Sequence, residues 1–242
     1  MKLRFVAILF LLFAIAVSGC SLFRSKPMAK NTPEGLYYQA SVDFKDGYYK
    51  YAREYFTRLK EEHPLHPLAI LAELGIADSH YSDKEYAEAE IAYSDFIMLH
   101  PTNENIPYVL YQMGMCHYNQ MGTIDRDQSE TIKARREFER LIAGYPESKF
   151  SLMAEKMLLE CKKNLGEHEF YIGRFYFNMK EYQAALQRFE TIARDYANVG
   201  LDYKTEYYIT ETKRKIEEQE TLKKLKEDRQ RAAEEKKKSV KN

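Results

Sequence analysis

The chain has 242 residues, and its 37 basic and 37 acidic side chains leave it without net charge at pH 7. This balance gives no indication of a nucleic-acid partner or of an acidic binding surface, so we expect neither. The length is sufficient for a buried core, and the aromatic residues are dominated by 20 tyrosines, with no tryptophan.

The N-terminus has the features of a bacterial secretion signal. Two basic residues precede an apolar run at residues 5–17, which is too short to span a bilayer. The run leads into the sequence Val-Ser-Gly-Cys, which ends at Cys20 and resembles the lipobox of bacterial lipoproteins. That resemblance implies a signal peptide at residues 1–19 and lipidation of Cys20. An ordinary signal peptide followed by a chance cysteine is the alternative.

The residues after Cys20 bear on the location of the protein. Several acyl chains, at about 0.8 kcal/mol per buried CH₂ group, would make a durable anchor. In the lipoprotein rule an aspartate after the cysteine favours retention in the inner membrane, and this chain has Ser21 there. We therefore expect an outer-membrane anchor that faces the periplasm, with a polar tether at residues 20–32. The tether ends at Thr32, and the pair Thr32 and Pro33 predicts the start of a helix.

A pattern of small, aromatic and proline residues then recurs. The second copy and the start of the third each follow 37 residues after the copy before, and the third carries eight extra residues in its middle. A fourth copy with the same internal spacing begins at Gly173. The matching positions of the four copies are Ala40, Phe44, Ala52, Phe56, Leu59 and Pro64; Ala77, Tyr81, Ala89, Tyr93, Phe96 and Pro101; Gly114, Tyr118, Ala134, Phe138, Leu141 and Pro146; and Gly173, Phe177, Ala185, Phe189, Ile192 and Ala197. The spacing predicts helical hairpins and resembles the tetratricopeptide repeat.

The residue types explain how such hairpins would pack. A small residue in the first helix of each pair lets the second helix approach closely, and the aromatic four residues later covers the same face. Because one hairpin cannot bury its apolar stripe alone, neighbours must stack. We expect an all-α fold, a right-handed superhelical array of about ten helices in TPR-like hairpins. Three hairpins would occupy residues 33–146, and the C-terminal hairpins residues 147–218.

The first hairpin is rich in tyrosine beyond the needs of the repeat. Tyr37, Tyr38 and Tyr48 are candidates for a surface that grips a peptide, because tyrosine combines rigid contact area with a polar tip. Ordinary packing and half-exposed surface are the alternative.

The histidines and cysteines do not form a metal or catalytic motif. His63 and His100 are 37 residues apart, as are His80 and His117, and such periodic placement favours a structural role. A zinc site needs three or four converging ligands, and no HExxH, CxxC pair, GxSxG or phosphate-binding glycine loop is present. We therefore expect no metal, no cofactor and no enzymatic activity.

Two further cysteines, Cys116 and Cys161, each lie within an apolar helical pattern. An oxidising compartment would permit a disulfide between them. Two small buried hydrophobic side chains are the alternative that we favour.

The third hairpin has a long connection at residues 119–128 in place of a short turn. Long loops in compact arrays are usually functional or disordered. This one presents the charged cluster Asp125, Arg126 and Asp127, which is a candidate contact for a partner protein. Alternatively the loop only pins its own helix, through Asp127 and Gln128.

The C-terminal part is predicted from weaker signals. A helix at about residues 148–164 should end at the C-cap sequence Asn164-Leu165-Gly166, and the fourth copy of the repeat should follow. After a tyrosine-rich helix at about 202–218, residues 219–242 are almost purely charged. Such a segment has little to bury and predicts either a solvated helix or a disordered tail.

The stretch from His100 to Ser148 resembles the BamD family of outer-membrane assembly lipoproteins, and the resemblance extends from the lipobox to about residue 218. Its most specific features are the sequence Pro-x-x-x-Asn-Ile, which ends at Ile106, and the inserted Asp-Arg-Asp loop. The resemblance implies five tetratricopeptide repeats in a non-catalytic subunit of the β-barrel assembly machine. It also implies that the protein binds the periplasmic domains of BamA and the C-terminal signals of unfolded outer-membrane proteins.

The resemblance places BamA on the later hairpins, from the third unit to about residue 218, whereas the surplus tyrosines suggest the N-terminal half for the client peptide. Other lipoproteins of the assembly complex are further candidate partners, and the sequence does not indicate which of them bind. The alternative function is a periplasmic lipoprotein adaptor that scaffolds cell-wall enzymes.

Overall fold

A computed structural model describes residues 31–241, and the side chains of residues 31–236. This part of the chain contains nine α-helices and no strand, which confirms the prediction of an all-α array of helical hairpins. The helices are α1 (Pro33–Lys45), α2 (Tyr49–Glu62), α3 (Pro67–Ser82), α4 (Tyr86–Leu99), α5 (Ile106–Tyr118), α6 (Ser129–Gly144), α7 (Lys149–Asn178), α8 (Tyr182–Asp195) and α9 (Asp202–Lys241). None of the helices described here contains a stretch long and apolar enough to span a bilayer.

The chain divides into two compact units between Ser79 and His80. Helix α1 of the first unit begins as predicted, because the side chain of Thr32 accepts a hydrogen bond from the amide of Gly35 (3.2 Å). The core of this unit is formed by small and large apolar side chains from three helices. These are Leu36, Ala40, Ala52, Phe56, Leu59 and Ala72.

The second unit holds the third and fourth copies of the repeat. Its C-terminal core joins α7, α8 and the start of α9 through six buried side chains. These are Phe170, Ala185, Phe189, Ile192, Val199 and Leu201.

The small repeat positions perform the packing role that the sequence predicts. Ala40, Ala77, Gly114 and Gly173 are all buried. A methyl group built on Gly114 would overlap the ring of Phe138, the aromatic of the second helix in the same hairpin. Close approach of the paired helices therefore depends on the absence of a side chain at this position.

Three of the four hairpins share one turn. Gly47, Lys84 and Lys180 occupy equivalent repeat positions, and all three have positive φ angles, of 83°, 63° and 65°. The amide of the next residue bonds back to a carbonyl five residues earlier, as in the bond from Glu85 N to His80 O (3.0 Å). This is the Schellman ending of a helix, which satisfies carbonyl groups that have no partner inside it. The third hairpin lacks it, because the long loop follows α5 directly.

The predicted helix end at Gly166 is wrong. Helix α7 runs without interruption from Lys149 to Asn178, so one helix stands where two were expected. Gly166 lies in its middle, and a Cβ atom there would lie 3.0 Å from Cδ1 of Leu201 and 3.3 Å from Cβ of Tyr196. This glycine permits close packing against the segment that leads into α9, a role that its sequence neighbours do not reveal.

Helix α9 extends well past the last core contacts. Thr205 and Thr212 are buried against the rest of the unit, and the side-chain amide of Gln219 donates to the carbonyl oxygen of Lys180 (3.2 Å). Every described side chain in the helix from residue 217 to residue 236 is exposed. The charged C-terminal segment is therefore a solvated helix over residues 217–236, and the helix continues to Lys241.

Candidate functional site

The inserted loop of the third hairpin is held in shape by one buried amide. The side chain of Gln128 donates to the carbonyl oxygens of Thr123 (2.9 Å) and Arg126 (3.0 Å). Its own oxygen accepts a hydrogen bond from the hydroxyl of Thr131 (2.8 Å), one turn into α6. Gln128 thus links the turn of the loop to the helix that follows it.

The charged cluster of the loop divides into two aspartates with local partners and an arginine without one. Asp127 accepts a hydrogen bond from the amide of Ser129 (2.9 Å), and Asp125 accepts one from the hydroxyl of Thr123 (2.5 Å). Hydrogen bonding to Thr123 is the main reason why the pKa of Asp125 lies below its ordinary value, and hydrogen bonding to the side chain and then the amide of Ser129 lowers the pKa of Asp127. Arg126 is exposed, and among the described residues its side chain has no hydrogen-bond or ion-pair partner. Its guanidinium group is therefore available to a partner protein.

The loop is also tied to its neighbours. Nδ1 of His168, on α7, lies 2.6 Å from the carbonyl oxygen of Ile124, so this nitrogen donates. At the start of the loop the side-chain amide of Asn119 donates to the hydroxyl of Tyr81 (2.9 Å). These contacts restrict the backbone before Arg126, and the hydrogen bonds at the Arg126 carbonyl and at Asp127 restrict it after the arginine side chain. Together they reduce the conformational entropy that binding would cost.

Two of the four histidines at repeat positions, His80 and His117, link the first helix of a hairpin to the start of the second. Nδ1 of His80 lies 2.7 Å from a carboxylate oxygen of Glu85, and Nδ1 of His117 lies 2.8 Å from Glu130. Glu130 is the repeat equivalent of Glu85 once the eight extra residues are allowed for. The other ring nitrogen of His117 lies 3.4 Å from Glu90. Within residues 31–236, no group of three or more side chains is arranged to hold a metal ion.

Glu130 itself has a perturbed acidity. Burial raises the pKa of its carboxyl group, but hydrogen bonds from Lys133 and His117 lower the pKa by more than burial raises it. The pKa of Glu130 therefore lies below the ordinary value. The ammonium group of Lys133 lies 2.8 Å from the carboxylate. The charged form of Glu130 is therefore the one that this site stabilises.

Cys116 and Cys161 are both free and buried. Burial is the main reason why the pKa of each thiol is raised to about 12. Sγ of Cys161 lies 3.9 Å from the sulfur of Met121 in the inserted loop. The interpretation of these residues as small buried hydrophobic side chains is confirmed, and a protonated thiol of this kind is a poor nucleophile.

The three candidate tyrosines lie in the first unit, and their surroundings differ. The ring of Tyr37 packs edge-to-face on Phe56, with centroids 5.7 Å apart, so it is partly buried against the core of the first unit. Tyr38 is 60% exposed and Tyr48 is 52% exposed. Tyr48 packs edge-to-face on Tyr51, also exposed, at 6.3 Å. Tyr38 and Tyr48 are thus the two candidates that present aromatic surface to a ligand, and Cys20 lies outside the described residues.

A groove that the sequence did not predict lies between α7 and the start of α9. It has a volume of about 550 Å³, and Ile124 of the inserted loop contributes to its lining. The other residues that define this α7–α9 groove are Glu167, Phe170, Tyr171, Arg174, Phe175, Asn178, Leu201 and Lys204. The one sequence signal that could have indicated it is the pair Tyr171 and Phe175, which are four residues apart and lie outside the repeat skeleton.

Comparison with known proteins places these features in a family. The model of the family YfiO, described as "Outer membrane lipoprotein", matches residues 29–230. An outer membrane protein assembly factor BamD from Rickettsia prowazekii is 27% identical over 212 residues, which cover 88% of this chain and 84% of the relative. A protein of the same name from Caulobacter vibrioides is 28% identical over 190 residues, 77% of this chain and 62% of the relative.

Among solved structures, the crystal structure of the MamA protein is similar to this chain at 15% identity and a TM-score of 0.41. The match covers 78% of this chain and 90% of that one.

Proposed function

Because the chain belongs to the YfiO family of outer membrane lipoproteins, we propose that it is a non-catalytic subunit of the machinery that assembles β-barrel proteins in the outer membrane. The observation that carries this proposal is the family match, which extends over residues 29–230 and so includes almost all of the helical array. The names of the relatives, outer membrane protein assembly factors, support the same role.

The mechanism we propose is adaptor binding. The protein would hold the periplasmic domains of BamA and an unfolded client chain close together, which raises the effective concentration of one for the other. Arg126 would contact BamA, with Asp125 and Asp127 holding the loop in shape around it. This is supported by the exposed guanidinium on a loop whose backbone is fixed on both sides.

The client would bind the first unit through Tyr38 and Tyr48. Exposed tyrosines provide large rigid contact area at low entropic cost, and they suit a partner whose C-terminal signal is aromatic. Tyr37 would act indirectly, because its packing on Phe56 fixes the helix that presents Tyr38.

Lipidation at Cys20 would place these sites at the periplasmic face of the outer membrane. Stable membrane anchoring needs at least two acyl chains, and a lipidated N-terminal cysteine carries more than one. The polar residues between Cys20 and Thr32 would then act as the tether.

The test is affinity purification of the tagged full-length protein from detergent-solubilised membranes of its own organism. We expect BamA to be recovered in stoichiometric amounts. Recovery of cell-wall hydrolases without BamA would replace this proposal with the alternative, an adaptor for cell-wall enzymes.

A further inference from the structure

The connection between α2 and α3 holds one apolar side chain fully in solvent. Leu65 is 98% exposed, and no other large hydrophobic side chain within residues 31–236 is as exposed. The amide of His66 donates to the carbonyl oxygen of His63 (3.0 Å), which closes a turn with Leu65 near its tip. Pro64 fixes a backbone angle just before the leucine. Leu65 is therefore held away from the core by a defined turn.

The side chain of His66 ties this turn to two helices. Its Nδ1 atom accepts a hydrogen bond from the amide of Leu68 (3.2 Å), in the first turn of α3. Its Nε2 atom lies 3.4 Å from a carboxylate oxygen of Glu34, in the first turn of α1. The turn that carries Leu65 is thus held beside the N-terminal end of α1.

The N-terminal segment joins the fold at the same end of the hairpin. The guanidinium group of Arg58, near the end of α2, donates to the side-chain oxygen of Asn31 (3.0 Å) and pairs with Glu62 (3.0 Å). Asn31 is the first residue that the structure describes. The chain that leads back to Cys20 therefore leaves the first unit next to the Leu65 turn. The opposite end of the hairpin, where α1 connects to α2, is a helix length of about 20 Å away.

The tether is short and basic. Ten residues, 21–30, separate Cys20 from Asn31, and even a fully extended chain of this length reaches no further than about 40 Å. The ten include three basic residues and no acidic one, so the tether is complementary to anionic headgroups. A lipid at Cys20 would therefore keep the Leu65 turn close to the bilayer, at the high effective concentration that a short linker provides. Under these conditions a contact that is weak by itself becomes populated.

We propose that the connection at residues 63–67 contacts the phospholipid bilayer that holds the lipid anchor, with Leu65 inserted among the headgroups. A leucine gains free energy by leaving water, and a turn closed by its own hydrogen bond brings fewer unsatisfied polar groups with it. The contact would orient the first unit, with α1 and α2 leading away from the bilayer and Tyr48, at the far end of the hairpin, turned toward the periplasm. This inference rests on the proposed lipidation of Cys20.

The test uses the lipidated mature protein, purified from membranes and placed in vesicles of phosphatidylethanolamine and phosphatidylglycerol. Part of the lipid carries bromine on its acyl chains near the headgroups, where it quenches tryptophan fluorescence on contact. Because the chain has no tryptophan, Leu65→Trp gives a single reporter in the turn. The matched control is Lys50→Trp, at an exposed position in the first turn of α2 and so at the other end of the hairpin. Circular dichroism and thermal melting establish that the variants fold as the unmodified protein does.

We expect the brominated lipid to quench Leu65→Trp at least about twofold, because an interfacial side chain lies about 5–10 Å into the headgroup region. Lys50→Trp should keep its emission. A tryptophan at residue 65 favours the interface by itself, so a second pair of variants tests the leucine. Lys60→Trp, in the last turn of α2, should be quenched when Leu65 is present and should lose that quenching in the double variant with Leu65→Asp.

Equal quenching of Leu65→Trp and Lys50→Trp, at any level, would overturn this inference and leave the proposed function standing. Equal quenching of Lys60→Trp with and without Leu65→Asp would also overturn it, because the leucine would then make no contact of its own. Emission of Leu65→Trp at shorter wavelength without quenching by the lipid would assign the turn to a protein surface, such as that of a second copy of the chain. If mass spectrometry of the N-terminus shows no lipid at Cys20, the proposed anchor itself fails, and this inference fails with it.

Discussion

Gly173 on α7 and Phe189 on α8 are in direct contact, and a methyl group built on the glycine would lie 2.7 Å from Cε1 of the ring. The same relationship holds between Gly114 and Phe138. Because the two pairs occupy equivalent positions, a residue without a side chain is a requirement of hairpin packing in this part of the array.

Replacing Gly173 should therefore destabilise the protein. Gly173→Ala must displace a ring that is itself buried among other aromatic residues, and overpacking of this kind costs about 1–3 kcal/mol. The measurement is the free energy of unfolding in urea. The control is Gly144→Ala, at the last residue of α6, where a new Cβ would meet nothing within 4 Å. Equal stability of the two variants would contradict the role of Gly173.

The inserted loop allows stability and binding to be separated. Arg126→Glu should leave the melting temperature unchanged, because the side chain has no partner among the described residues, and should weaken binding of the BamA domains about tenfold. Asp127→Ala removes the acceptor for the Ser129 amide, which should lower the melting temperature. If Arg126→Glu binds the BamA domains as tightly as the unmodified protein, Arg126 does not contact BamA and the loop serves only to cap α6.

Glu130 should contribute stability in a pH-dependent way. Its folded-state pKa lies below the ordinary value of 4.5, so its contribution is present above that pH and is lost as the pH falls through the folded pKa. We expect Glu130→Gln to cost about 1 kcal/mol at pH 7. The difference from the unmodified protein should shrink below about pH 4.5, as measured by urea unfolding. Glu155→Gln, at an exposed position on α7, is the control and should show no such trend.

The absence of tryptophan provides a direct probe of client binding. Tyr38→Trp gives a protein with a single tryptophan on the surface proposed for the client. Addition of a tryptophan-free peptide that ends in an aromatic residue should shift its emission to shorter wavelength. Tyr203→Trp, on α9, is the matched control and should not respond. A response from Tyr203→Trp alone would move the client site to the C-terminal helices.

Membrane attachment should depend on Cys20. Cys20→Ala removes the acceptor of the lipid, so we expect an unprocessed or soluble protein instead of a membrane-bound mature form. Fractionation of cells followed by mass spectrometry of the N-terminus measures this. Mature, membrane-bound protein from the Cys20→Ala gene would contradict lipidation at this residue.

The sequence was sufficient to predict the hairpins because their determinants are local. Small and aromatic residues at fixed spacing, such as Gly114 and Phe138, identify both helices and the face that each buries. Gly166 shows where this reasoning fails. Its sequence context is that of a helix end, but its packing partners Tyr196 and Leu201 are about thirty residues away in sequence. The role of such a glycine depends on tertiary contacts that no local pattern contains.

The candidate site was predicted unevenly for the same reason. The Asp-Arg-Asp loop stands out as an interruption of a regular period, so its position could be recognised. The sequence does not distinguish the roles of Asp127 and Arg126. The hydrogen bonds of the structure do, because Asp127 accepts from the backbone of Ser129 whereas Arg126 faces solvent. The α7–α9 groove was missed because it joins Phe170 to Lys204, which belong to different hairpins.

The shared turn of the other hairpins has a consequence for how this array can diversify. At Gly47, Lys84 and Lys180 the chain reverses through one compact turn, and in the third hairpin a longer loop takes its place without disturbing the Gly114–Phe138 contact. The helices therefore tolerate a change of connector at this point. Transplanting residues 119–128 onto the second hairpin, in place of the turn at Lys84, would create a second copy of the loop on an unchanged scaffold. Turns of this kind are positions at which an array can gain or exchange a partner while its packing stays the same.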